Sequence, residues 1–167
     1  MNASQPVTGG VLLGFGCGMF GMLGSSDESN RLVPTRLPTF NALVTSVATG
    51  SAHALATGAD GTLYSWGDDD QGQLGQGDKQ ARVTPTELPS LQTRRIVAAA
   101  AGYAHSFALA STGEALAFGA GEMATLGLTL RKRPAGTPPD LAAHLKPALV
   151  KELSAITRII QIGKQAI

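Results

Sequence analysis

Short stretches in which bulky apolar residues alternate with small or polar ones recur along the chain. In "HSFALAS" (residues 105–111), His105, Phe107 and Leu109 fall on one face and Ser106, Ala108 and Ala110 on the other. A period of two is a strand pattern, here with one bulky side. "STG" then turns the chain and "EALAFG" resumes the alternation, as "TLYSWG" does one unit earlier, so each pair predicts a hairpin. "IVAAAAG" taken alone favours helix, because alanine has the best helix propensity. Its counterpart "TSVATG" carries Val and two Thr instead. A structure common to both is a strand, and its small side chains suit the crowded innermost position. The segments "PTRLP" and "PTELP" read as a fourth strand, whose prolines suit an outer edge.

These elements repeat. "LLGFGCGMFGMLG" over "LYSWGDDDQGQLG" pairs Phe15 with Trp66, Gly16 with Gly67, Gly21 with Gly72, Leu23 with Leu74 and Gly24 with Gly75, at a constant offset of 51. "TGSAHALATGADG" over "AGYAHSFALASTG" pairs Gly50 with Gly102 and His53 with His105 at an offset of 52, which carries on to place Phe118 and Gly119 on Trp66 and Gly67. In the third copy "KPALVKEL" sits on "TPTELPSL" at an offset of 62, so ten residues are inserted after Leu128. Four short strands every 51 or so residues predict β-propeller blades.

The stretch "LYSWGDDDQGQLGQGD", the proline that follows it and "IVAAAAGYAHSFALASTG" together resemble the RCC1 (regulator of chromosome condensation 1) repeat, over about residues 11–163. Kelch repeats would need a recurring double glycine and WD40 repeats a Trp-Asp pair, and neither is present in the units. The resemblance implies an all-β fold of four-stranded antiparallel blades. It also implies a ring of seven, which at this period needs about 360 residues. A chain of 167 therefore predicts a partial, open propeller of about three repeats: a tail over 1–10, units over 11–61, 62–113 and 114–167, and an insertion loop over 129–146. An open ring exposes sheet edges that must be covered, so the chain is expected to be part of a longer propeller or to be completed by another chain.

Composition adds little to this picture. The 21 glycines and nine prolines are dispersed, which suits many strands and turns. Thirteen basic and twelve acidic side chains leave a net charge of +1, so charge indicates neither nucleic acid nor a membrane surface. The single cysteine, Cys17, excludes an internal disulfide framework. No signal peptide or long apolar run stands out, and the expectation is an intracellular protein of unassigned compartment.

Candidate chemistry is sparse. Asp68, Asp69 and Asp70 resemble a hard-cation cluster, but the sister copies carry Cys17, Gly18 and Met19, and Ala120, Gly121 and Glu122. A solvated turn accounts for them better. The glycines of "DQGQLGQG" lack the lysine of a phosphate loop and read as turn and packing positions. His53 and His105 each follow a glycine by three residues and share a repeat position, which points to structural hydrogen bonding between strands, not to a catalytic or metal pair. With Trp66, Gly67, Gly72, Leu74, Gly75, Gly50, Gly102, Phe118 and Gly119 they form the structural set. The run Arg131, Lys132, Arg133 in the insertion is the candidate partner-binding site, and "DLAAHLK" suggests a short helix capped by Asp140. No catalytic residue, metal site or cofactor is expected.

The resemblance implies roles in guanine-nucleotide exchange on a small GTPase, in chromatin binding, in tryptophan-based ultraviolet sensing or in protein interaction. Ultraviolet sensing needs tryptophans where this chain has Ser51 and Tyr103, and is rejected. The expected function is a non-catalytic interaction scaffold with protein partners, and exchange on a small GTPase is the alternative.

Overall fold

The structure is a computed structural model that describes residues 10–37, 40–120 and 144–150. Among them run ten strands: β1 (Leu13–Gly16), β2 (Arg31–Arg36), β3 (Val44–Thr49), β4 (His53–Gly58), β5 (Leu63–Gly67), β6 (Arg82–Glu87), β7 (Ile96–Ala101), β8 (His105–Ala110), β9 (Ala115–Gly119) and β10 (His144–Leu149). They form three antiparallel sheets in the orders β1-β2, β3-β4-β5-β6 and β7-β8-β9-β10. The fold is all-β and built from propeller blades. Each sequence unit straddles two sheets, because the chain leaves β2 at the edge of one sheet and enters β3 of the next.

Registers repeat with the sequence. Gly16 opposes Arg31 in the first sheet as Gly67 opposes Arg82 in the second. Ala54 opposes Trp66 as Ser106 opposes Phe118. In the third sheet His144 opposes Gly119, and the chain takes 25 residues to get there against 15 from Gly67 to Arg82. Ten extra residues are thus accommodated without moving the outer strand.

Two expectations need correction. His144, Leu145 and Lys146, assigned from sequence to the insertion loop and to a helical "DLAAHLK", lie in β10. Backbone pairing with β9 outweighs local helix propensity there, and Pro147 is tolerable because β10 ends the sheet. In β8 the small side is buried completely, with Ser106 and Ala108 at 0% exposure, while His105 and Phe107 are only half-buried. Small residues are needed on that face because it receives the bulky face of β4. "IVAAAA" is a strand, as expected, with Ala99 and Ala101 packed on the core.

The main core lies between the second and third sheets, where Leu55, Leu63 and Leu88 meet Ala108, Leu116 and Phe118. A second core, including Leu37, Ala54, Ala56 and Trp66, joins the first sheet to the second. Burying each large apolar side chain contributes about 1.5–3 kcal/mol, so stability resides chiefly in the seams.

Candidate functional site

The Gly-x-x-His turns build one end of a seam. A Cβ on Gly50 or Gly102 would strike the imidazole of His53 or His105 respectively, so glycine is needed for the ring to fold back over the turn. His53 then crosses to the next sheet: its Nε2 lies 2.9 Å from Ser106 Oγ, which donates its hydroxyl proton to Gln73 O at 2.7 Å. Serine has one proton and a carbonyl only accepts, so His53 must donate from Nε2 and carries its lone pair on Nδ1. That Nδ1 has no partner among the described residues. Burial, with the positive charge of His105 adding to it, pushes the His53 pKa down to about 4. The hydrogen bonding expected between strands is in fact a link between sheets.

His105 repeats the turn, and no such link is made by it among the described residues. Its ring meets Phe107 edge-on with centroids 5.8 Å apart, and burial lowers its pKa. The seam's opposite end is held by Arg95, whose Nη1 and Nη2 donate to Asp60 O at 2.8 Å and Ala59 O at 3.0 Å.

The glycine-rich loops cover the aromatic of the following sheet. Trp66 Nε1 donates to Met22 O at 3.0 Å, and a Cβ on Gly24 (φ +70) would stand 2.9 Å from that nitrogen. The equivalent Gly75 (φ +70) lies against Phe118, 2.7 Å from ring carbon to a built Cβ. Positive φ and this closeness together demand glycine. Gly72 and Leu74 complete the turn: Gly75 N donates to Gly72 O at 3.1 Å, and Leu74 is fully buried. Gly67 and Gly119 end β5 and β9 with φ near +100, and the residues after them, Asp68 and Ala120, donate to Ala52 O and Ala104 O.

The aspartate run is not a solvated turn throughout. Asp70 is exposed, but Asp69 is fully buried. Its Oδ1 accepts the Leu74 amide at 2.8 Å, and Oδ2 has no partner among the described residues. Burial pushes its pKa up to about 7, against the opposing effect of the Leu74 amide. Asp68 Oδ2 accepts Gln73 Nε2 at 2.7 Å. The run therefore braces the loop that carries Gln73 and Gly75 to the third sheet. In the first sheet Gly18 replaces Asp69, and Asn30 Oδ1 accepts the Gly18 amide at 2.9 Å instead.

Sequence reading also missed the pair Asp27–Arg31 at 2.7 Å and its copy Asp78–Arg82 at 2.8 Å. The offset of 51 relates them, so the signal was present. In both, the arginine's hydrogen bond holds the aspartate below its usual pKa.

No group of three or more His, Cys, Asp or Glu side chains fit to hold a metal occurs among the described residues. Two shallow hollows, of about 170 and 450 Å³, share Thr93, Arg94 and Arg95. Arg94 faces Glu114 at 3.4 Å and Arg95 is engaged with carbonyls, so these cations are already occupied. No described helix is long and apolar enough to cross a membrane. Arg131, Lys132 and Arg133 lie outside the described residues. Among the described residues apolar side chains of the first sheet are exposed: Phe15, at the position of Trp66 and Phe118, is 64% exposed against 3% and 0%.

Residues 9–57 and 60–109 both match the family model of the Regulator of chromosome condensation (RCC1) repeat, and residues 44–73 match a second model of that repeat. The chain belongs to the RCC1 repeat family. It is 34% identical over 120 residues to the ultraviolet-B receptor UVR8 of Arabidopsis thaliana, covering 71% of this chain and 27% of that protein. To the human E3 ubiquitin-protein ligase HERC2 it is 33% identical over 147 residues, covering 86% and 3%. Human RCC2 is 42% identical over 87 residues, covering 51% and 17%. Among solved structures, Prp20p of Saccharomyces cerevisiae, described with its binding to Gsp1p and histones, superposes with a TM-score of 0.67 at 29% identity, covering 82% of this chain and 33% of Prp20p. Human WBSCR16 shares the fold with a TM-score of 0.65 at 23% identity, covering 81% and 33%. The RCC1-repeat chain thus spans a third or less of each of these proteins.

Proposed function

We propose that this RCC1-repeat chain is a non-catalytic interaction scaffold, docking within a larger assembly or forming part of a longer propeller, and that it acts inside the cell without a cofactor. The observation that carries this reading is the contrast between seams and flank. Among the described residues, polar groups such as His53, Ser106 and Arg95 hold sheets together, while the apolar Val11, Leu13, Phe15 and Leu32 of the first sheet are exposed. We assign the first partner contact to Arg131, Lys132 and Arg133, in the ten-residue insertion that the repeat offset reveals. The units over 11–61, 62–113 and 114–167 are its building blocks.

The second reading, nucleotide exchange on a small GTPase, is favoured by the likeness to Prp20p, which is described as binding Gsp1p. Fold likeness alone does not carry an activity. The test is nucleotide release from a panel of small GTPases by the purified full-length protein. Release at the intrinsic rate supports the scaffold, and acceleration overturns it. Loss of partner binding in the double variant Arg131→Glu, Arg133→Glu, with its fold intact, supports the contact assigned to the insertion.

A further inference from the structure

Ser111 follows β8 and stands directly across from Arg95, which precedes β7: the register pairs Ile96 with Ala110, and the Ser111 amide donates to Arg95 O at 2.8 Å. Residues so opposed share a face, with Cβ atoms about 5 Å apart. Arg95 spends both terminal nitrogens on the seam, Nη1 on Asp60 O and Nη2 on Ala59 O. Ser111 is exposed, and its hydroxyl has no hydrogen bond among the described residues. Arg94, which faces Glu114, lines the same hollow of about 450 Å³ as Ser111 and Arg95. The serine thus has room for an added group and two guanidinium groups nearby. At the same place in the second sheet Ala59 opposes Leu43, its amide donating to Leu43 O at 2.8 Å. The pairing of hydroxyl with guanidinium therefore belongs to the third sheet and not to the second.

We propose that Ser111 is a phosphorylation site whose phosphoryl group draws Arg95 off the seam. In the transfer, Ser111 Oγ attacks the γ-phosphorus of ATP in the active site of a serine kinase. The Oγ–phosphorus bond forms, the bond from that phosphorus to its bridging oxygen breaks, ADP leaves with the electron pair, and the hydroxyl proton passes to the kinase's base. Glu114 stands three residues after Ser111, a carboxylate that suits the basic substrate groove of an acidophilic kinase. The product carries about 1.5 to 2 negative charges and three strong acceptor oxygens. A charge-assisted bond from arginine to phosphate is roughly twice as strong as a neutral one, so Arg95 turns from Ala59 O and Asp60 O to its neighbour across the ladder. Glu114 repels the phosphoryl group and Arg94 attracts it, and these two, already paired, largely cancel. The end of the seam away from His53 is then left with the Ile96 amide on Gly61 O at 2.8 Å and the apolar core beneath. Modification of a solvent-facing turn thereby loosens the joint between two sheets.

The switch goes beyond the scaffold reading and holds whichever of the two functions the chain performs, so nucleotide release does not bear on it. The test takes the folded full-length protein, ATP and a panel of acidophilic serine kinases, and maps the phosphate by peptide mass. Phosphate is expected at Ser111, absent in Ser111→Ala and added roughly tenfold more slowly in Glu114→Gln. In the phosphorylated protein, exchange of the Ile96 amide should quicken about fivefold, as two exposed hydrogen bonds are lost beside it. Arg95→Gln has no clamp to lose, and its Ile96 exchange should be the same with and without phosphate. Failure of every kinase in the panel to modify Ser111 in the folded protein overturns the site. Phosphate at Ser111 with unchanged Ile96 exchange, or with equal quickening in Arg95→Gln, overturns the action through Arg95.

Discussion

Phe118 and Phe15 hold the same register position in the third and first sheets, and one is sealed while the other stands in solvent. Phe118 has Ser106 beside it on β8 and Gly75 of the preceding loop over its ring. Phe15 has neither neighbour among the described residues. Burial at this position is conferred by the adjoining strand and the preceding glycine turn, so the aromatic by itself stabilises nothing until both are present. The largest effect expected follows directly. Phe118→Ala should cost about 4 kcal/mol in urea unfolding, by lost transfer energy and a cavity. Phe15→Ala should stay within about 0.5 kcal/mol, as for other exposed sites. Equal losses would break the comparison.

A second pair separates strain from contact. Gly16 and Gly67 share a left-handed backbone, φ +104 and +102. A Cβ on Gly67 would strike Ala52 O and lie 2.7 Å from the His53 Cα, whereas one on Gly16 would meet nothing within 4 Å. Gly67→Ala should therefore cost about 3 kcal/mol and Gly16→Ala about 1 kcal/mol, the latter being backbone strain alone. Thermal unfolding of the two variants checks the difference.

The same contrast explains what the sequence could and could not tell. Strands, hairpins and blade order were legible because period-2 alternation and a fixed offset are local signals, and the ten-residue insertion survived as a shift from 52 to 62. Contacts between sheets were not legible from one unit at a time. His53 was recognisable as a repeat residue, but its partner Ser106 stands 53 residues on. Asp69 was read as solvated because the sister copies lack a carboxylate, yet Gly18 in the first copy is held by Asn30 from outside the aligned loop. The candidate site Arg131–Arg133 rests on sequence alone.

Ser106 offers the next test, because it serves the second and third sheets at once. Ser106→Ala removes the proton donated to Gln73 O and the acceptor for His53 Nε2, leaving two buried polar groups without partners. A loss of about 2 kcal/mol is expected in chemical unfolding. The first seam has Ala54 at the corresponding place, so Ala54→Ser should give no matching gain. A gain there would mean that an acceptor and donor also flank Ala54.

The smallest effect lies in the loop itself and is seen by changing pH. Asp69 keeps its proton to about pH 7 in the folded chain, while the unfolded carboxyl releases it near 3.8. The folded state thus binds more protons between those values, and this group's contribution to stability falls as pH rises through the window, then levels off above it. His53 acts in the opposite sense. Its folded pKa of about 4 lies below the ordinary 6.5, so the unfolded chain binds the extra proton and stability rises with pH between those values. The two slopes oppose each other below 6.5, and above it Asp69 acts without that compensation. From pH 6 to pH 8 the folded protein should lose about 1 kcal/mol through Asp69. Asp69→Asn keeps an oxygen for the Leu74 amide and removes the titration, so the unfolding midpoint of the variant should lose that decline. A decline of the same size in both proteins would remove Asp69 as its source.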